Sequence, residues 1–224
     1  MARADGPALE QRPGGSPLSW FGSTRAGRRT SVALAVVLAL AGIGFLAYPW
    51  LTDVYTTEVL QRRLHDDLKA PATRAAYERH QVKEGDGLTR IVIPKLGVDT
   101  VVVEGISPAA LKAGAGHYPD TPLPGEVGNM AIAGHRTTYG KPFANIDKLE
   151  PGDPIYLETP LGGYLYTVSR DPLIIEPTDR SVLAPTDAPT LTLTTCHPKF
   201  SAVSRLVVQA ELTKAGDVEV PSGV

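Results

Sequence analysis

The chain of 224 residues contains a single cysteine, Cys196. That rules out an intramolecular disulfide and any zinc site needing two thiolates from one chain, so a hydrophobic core has to hold the fold. An excess of positive charge is also missing. Lys and Arg number 22 against 24 Asp and Glu, a formal net charge of −2, which leaves no electrostatic footprint for nucleic acid. No glycine-rich loop opens a helix in the way a phosphate cradle requires. The acids Asp120, Glu126, Glu150 and Asp153 are scattered through loops and make no calcium loop. Cys196, His135 and His117 would be enough ligands for a catalytic zinc with one water, but nothing has the tight spacing of metal motifs. The expectation is therefore no metal and no cofactor. No internal repeat is visible.

Charge is absent altogether from Thr30 to Thr52. As a helix rising 1.5 Å per residue this run would reach about 34 Å, enough to cross a bilayer's hydrocarbon core. Arg25, Arg28 and Arg29 precede it, and Asp53 and Glu58 follow. The positive-inside rule then places the N-terminus in the cytoplasm and everything after Asp53 outside. Ala39-Leu40-Ala41 would suit signal-peptide cleavage, but the apolar run continues for about ten residues beyond it, which favours a retained anchor. Residues 1–29, rich in Gly, Pro, Ser and Arg, read as a disordered cytoplasmic tail, and 30–52 as the anchor. Residues 53–86 read as a stalk or linker whose Leu60, Leu64 and Leu68 recur at helical spacing. Residues 87–213 read as the main folded domain, and 214–224 as a flexible tail.

From Leu88 onward the pattern is β. Glycine (22) and proline (20) are both frequent, which suits a loop-rich β protein. Seven or eight strands with only short helices between them predict a closed or nearly closed barrel. Thr190–Cys196 and Arg205–Leu212 are two period-two runs joined by a loop with Pro198 and Ser201, and read as neighbouring antiparallel strands. Leu191, Leu193 and Thr195 share one face, and Thr192, Thr194 and Cys196 the other. Leu206, Val208 and Ala210 lie opposite Arg205. If the leucines and valine fill one core, Cys196 and Arg205 emerge together on the other side. A thiol beside a guanidinium is suited to stabilising a thiolate or a thioester-derived oxyanion. A buried structural cysteine beside a surface arginine would leave the same pattern.

A nucleophilic thiol needs a base or a cationic neighbour. His65 and His80 fall in the stalk, and His197 points away from Cys196 because adjacent residues of a strand face opposite sides. His135, in the polar loop Gly134-His135-Arg136-Thr137-Thr138-Tyr139-Gly140 after a short strand, is the leading candidate. His117, in Gly116-His117-Tyr118-Pro119, could line the same cleft.

Thr192-Leu193-Thr194-Thr195-Cys196, with Arg205 nine residues on and His135 upstream, resembles the sortases. The strings TLTTCHPKFS and AGHRTTYGKPF resemble the class E branch of actinobacteria over about Leu88–Leu212. The resemblance implies an eight-stranded β-barrel and a membrane-anchored cysteine transpeptidase. It would act on secreted proteins carrying C-terminal LAxTG- or LPxTG-like signals. Cys196 would attack the threonine carbonyl, His135 would serve the leaving and entering amines, and Arg205 would hold the oxyanion. The acceptor would be an amine of lipid II or peptidoglycan, or a pilin lysine. Tyr118, in a GHYP-like segment, is implied in the LAxTG preference, Thr194 and Thr195 are expected to line the substrate groove or to fix the strand end, and His117 is a further expected substrate contact. A non-catalytic anchored peptide-binding domain and a thiol hydrolase are the alternatives.

Overall fold

The computed structural model describes residues 25–222. Most of the expected cytoplasmic tail therefore lies outside the described residues. They divide into two compact units, one ending at Tyr48 and the other beginning at Pro49.

A helix α1 runs over Arg25–Tyr55. It is long and apolar enough to cross a membrane, and side chains such as Leu38, Ile43, Phe45 and Trp50 are exposed. A π-helical turn, Thr56–Leu60, leads into α2, Gln61–Leu68, and α3, Pro71–Glu78. The strands that follow are β1 (Gly87–Ile93), β2 (Val98–Glu104), β3 (Ala115–His117), β4 (Asn129–Ala133), β5 (Pro154–Thr159), β6 (Gly162–Val168), β7 (Leu173–Ile175), β8 (Thr190–His197) and β9 (Ser204–Gly216). The short helix α4, Pro108–Ala113, is capped by Ser107, whose hydroxyl accepts the Ala110 N–H.

Eight positions close the barrel, in the order β6-β5-β1-β2-β3-β4-β8-β9 and back to β6. The ninth strand adds no position. β6 pairs with Ala210–Gly216 of β9 and β7 with Arg205–Val207, both antiparallel to it. β7 therefore continues β6 along one edge after an interruption at residues 169–172. Pro172 sits in that gap and has no N–H to give the ladder.

Leu191, Leu193, Leu206, Val208 and Ala210 fill the barrel interior with Ile91, Ile93, Met130, Ile132, Ile155 and Leu157, as their alternation requires. β9 runs three residues past Thr213, where a tail was expected, because Lys214, Ala215 and Gly216 still pair with Leu165, Tyr164 and Gly163.

The segment read as a stalk is packed on the barrel. Leu64 and Leu68 form an outer cluster with Val101, Val103 and Ala110, and Tyr77 reaches the main core. Gln61 is buried and completes the edge of β2 just before β3 begins. Its Oε1 accepts the Val101 N–H at 2.6 Å, and its Nε2 donates to Val101 O at 3.1 Å and Ala113 O at 2.7 Å. Gln61→Leu would strand these backbone groups. Each unsatisfied buried group costs about 1–3 kcal/mol, so the expected result is a melting temperature lower by roughly 5–10 °C, read by thermal denaturation.

Candidate active site

Cys196 is the penultimate residue of β8. Thr190, Thr192, Thr194 and Cys196 alternate with the core residues Leu191 and Leu193, so they point outward. On the antiparallel side Cys196 pairs directly with Arg205 of β9. On the other side β8 runs parallel to β4, one residue for one, from Asn129↔Thr190 to Ala133↔Thr194. Two further steps bring His135 level with Cys196. The strands hold together that far: the Gly134 N–H donates to Thr194 O at 3.0 Å, and the Thr195 hydroxyl donates to Gly134 O at 2.7 Å. Neighbouring strands lie about 4.8 Å apart, so Cys196, His135 and Arg205 occupy three adjacent columns of the sheet. Counted on from Ala133, His135 keeps the parity that Cys196 has on β8. All three side chains are partly exposed.

Gly134 makes that placement sterically feasible, because a Cβ there would collide with the Phe143 ring. The ring of Tyr139 lies 5.1 Å from that of His135, tilted by 41°. Burial holds the His135 imidazole below its ordinary pKa of 6.5, because a charged ring loses hydration there. The neutral ring, able to accept a proton, is therefore its form at neutral pH.

Arg205 is steadied through Nη1 alone among the described residues, by the carbonyls of Ala202 at 3.1 Å and Ser204 at 3.2 Å. That leaves Nε and Nη2 for an incoming oxygen. Arg205 also lines a groove of about 650 Å³ with Tyr118, Thr194, Ile175, Val182 and Leu183. The Tyr118 hydroxyl and the Thr194 hydroxyl are 3.3 Å apart.

Neither Thr195 nor His117 lines the groove, and Thr195 takes the other of its two expected roles. Thr195 points inward, is 3% exposed and has its hydroxyl committed to Gly134; it fastens β8 to the end of β4. His117 shares the inward parity of Ala115 and is 1% exposed. Its Nδ1 meets Glu104 at 2.8 Å, and its Nε2 lies 3.0 Å from the Thr121 hydroxyl and 3.2 Å from Pro122 O. With both nitrogens occupied inside the fold, His117 does not line the groove.

Arg136 was not singled out by sequence reasoning. Its guanidinium is buried and donates to Cys196 O at 3.3 Å and to His197 Nδ1 at 2.8 Å, while Nη2 pairs with Asp147 at 3.1 Å. It ties the histidine loop to the end of β8 from beneath. Only its adjacency to His135 hinted at this, since exposure of an arginine is the usual expectation. Among the described residues no three His, Cys, Asp or Glu side chains are grouped to hold a metal ion.

The sortase domain family matches residues 91–213 of the chain. Sortase SrtE1 of Streptomyces coelicolor is 36% identical over 145 residues, which are 58% of this chain and 41% of that protein. The chain thus spans about two fifths of that relative's length. Sortase SrtE2 of the same species is 29% identical over 88% of this chain and 89% of its own. Sortase E from Streptomyces avermitilis superimposes with a TM-score of 0.55 at 37% identity, covering 59% of this chain and 91% of that one. A Clostridium perfringens sortase D5 transpeptidase gives a TM-score of 0.62 at 32% identity over 71% and 99% of the two chains. With the family matched over the whole stretch that carries Cys196, His135 and Arg205, the chain belongs to the sortases, on the class E side of the family.

Proposed function

We propose that this chain is a membrane-anchored cysteine transpeptidase that joins secreted proteins bearing LAxTG- or LPxTG-like signals to a cell-wall amine. The register that sets Cys196 opposite Arg205, with His135 level on the other side, carries this reading. The Cys196 sulfur attacks the threonine carbonyl of the signal and forms a C–S bond. The Arg205 guanidinium, facing the same side, donates hydrogen bonds to the oxygen that becomes negative. As the tetrahedral species collapses, the threonine–glycine C–N bond breaks, and His135 gives the departing nitrogen the proton taken from the thiol. An amine of lipid II or peptidoglycan then attacks the thioester. Its C–N bond forms, the C–S bond breaks, and the proton passes through His135 back to the sulfur.

The groove beside Arg205 is the segment's proposed seat. Its apolar side chains Ile175, Val182 and Leu183 suit the leading residues of the signal, and Tyr118 and Thr194 offer hydroxyls. A solved relative, sortase E1 of Streptomyces coelicolor, holds a tripeptide in its active site, which supports an elongated site on this fold. The uncharged run Thr30–Thr52 supports an anchor with the N-terminus in the cytoplasm and the barrel outside, where secreted substrate and lipid II share one surface.

Mass spectrometry of the full chain in detergent, given LAxTG or LPxTG peptide and an amine, tests the reading. The expected products are a thioester on Cys196 and, as amine rises, ligated peptide in place of hydrolysed peptide. Hydrolysis insensitive to amine would make it a thiol hydrolase, and binding without a thioester a peptide-binding domain. Arg205→Ala is expected to lower kcat by about 10²–10³-fold, the scale of losing an oxyanion donor. Arg205→Lys should recover little of it, because a point charge does not reproduce a planar fork of donors.

A further inference from the structure

The loop after His135 is held from outside by a residue in the last turn of α1. Tyr139, Gly140 and Lys141 adopt φ values of +53°, +72° and +40°, three left-handed residues in succession, of which only glycine takes that conformation readily. Tyr139 is the residue whose ring lies against His135. Within the turn, the Lys141 N–H donates to Thr138 O at 3.0 Å. The Ala144 N–H donates to Lys141 O at 3.0 Å and the Phe143 N–H to His135 O at 3.2 Å, and Asp53 adds two contacts from outside the loop. The Asp53 Oδ1 accepts the Gly140 N–H at 3.0 Å, and its Oδ2 lies 2.5 Å from Lys141 Nζ. The Asp53 side chain is 15% exposed and that of Lys141 51%, so the carboxylate is shielded while the ammonium reaches water. Asp53 is itself placed by the helix that follows: Thr56, 2% exposed, donates to Lys112 O at 3.0 Å, and Gln61 is bonded into the β2 edge.

We propose that Asp53 is a positioning residue for His135, clasping residues 139–141 in the left-handed turn that sets Tyr139 against the imidazole. The inference rests on His135 being the acid–base group of the proposed transfer. Asp53 touches no reacting atom; it acts through Gly140, Lys141 and Tyr139. The clasp thereby makes the first residue after the uncharged run Thr30–Thr52 a part of the catalytic architecture. Other charged groups on this side are Arg136, committed to Asp147 and to Cys196 O, and Arg205 across β8.

The test uses the full chain in detergent micelles and compares wild type with Asp53→Ala, Asp53→Asn and His135→Ala. Read out are kcat and KM for peptide acylation, the NMR titration midpoint of the His135 ring, and the melting temperature. Asp53→Ala should lower kcat by roughly ten- to a hundredfold with KM changed less than about twofold, as misplacement of a catalytic group does. The His135 midpoint should rise toward the ordinary value of about 6.5 as the ring gains water. Asp53→Asn, which keeps an oxygen for the Gly140 N–H, should recover most of kcat. Wild-type kcat and an unmoved midpoint in Asp53→Ala overturn the clasp. So does a loss of kcat that Asn fails to rescue and that tracks a lowered melting temperature with the midpoint unmoved. If His135→Ala were as active as wild type, the underlying reading would fall instead, whatever Asp53→Ala did.

Discussion

Cys196→Ala is expected to fold like the wild type and to form neither thioester nor ligated product, a loss on the order of 10⁴-fold or more. The fold should tolerate the change because Cys196 is partly exposed and lies outside the residues that fill the barrel. Replacing a thiol by a methyl at such a site removes little buried area and leaves no core cavity. The reaction should not tolerate it, since the chain has no second cysteine. Arg205 and His135 cannot form the covalent intermediate between them. Unchanged melting with abolished acylation, measured on one preparation, is the decisive combination. Residual amine-dependent ligation in the Ala variant would remove Cys196 from the mechanism.

His135→Ala should be the second largest loss, about 10²–10⁴-fold in kcat for an amide substrate, the usual worth of a positioned acid–base group. The departing glycine nitrogen is a poor leaving group unless it is protonated as the C–N bond breaks. A substrate with an ester in place of the threonine–glycine amide needs less of that help and should lose markedly less. Equal losses for both would mean that the histidine acts by structure alone.

The pH profile follows from the same ring. Burial lowers the pKa of His135, so in wild type the neutral ring persists below the ordinary midpoint. Whether the working pair is thiol with imidazole or its proton-transferred form, its proton count is the same, and one added proton inactivates it. Activity should therefore be retained as pH falls through 6.5 and decline below it. An acid limb above 6.5 would contradict the burial argument.

Much of the active face was legible from alternation. Leu191, Leu193, Leu206 and Val208 had to share the core, which put Cys196 and Arg205 on the other face, and the pairing register sets them side by side. The same alternation already placed Thr195 on the inner face. Of the two roles the resemblance allowed it, lining the groove or fixing the strand end, the inward parity selects the second. His117 was harder, because β3 is only three residues long and offers too little pattern to fix a face. Its partner Glu104 comes from a parallel neighbour across α4.

By itself the sequence determined the strand faces, the uncharged run at the N-terminus, and the placing of Cys196 beside Arg205. These depend on the two-residue period of a strand, the length of an apolar run and neighbouring side chains, all of which are local. Only the tertiary structure decided that Gln61 mends the edge of β2, that Arg136 braces the end of β8, and that Asp53 reaches the loop behind His135. Those contacts join residues 40, 60 and 87 positions apart. No local period encodes such pairs, because they arise only when the closing barrel brings unsatisfied backbone and buried charge together and each has to find a partner.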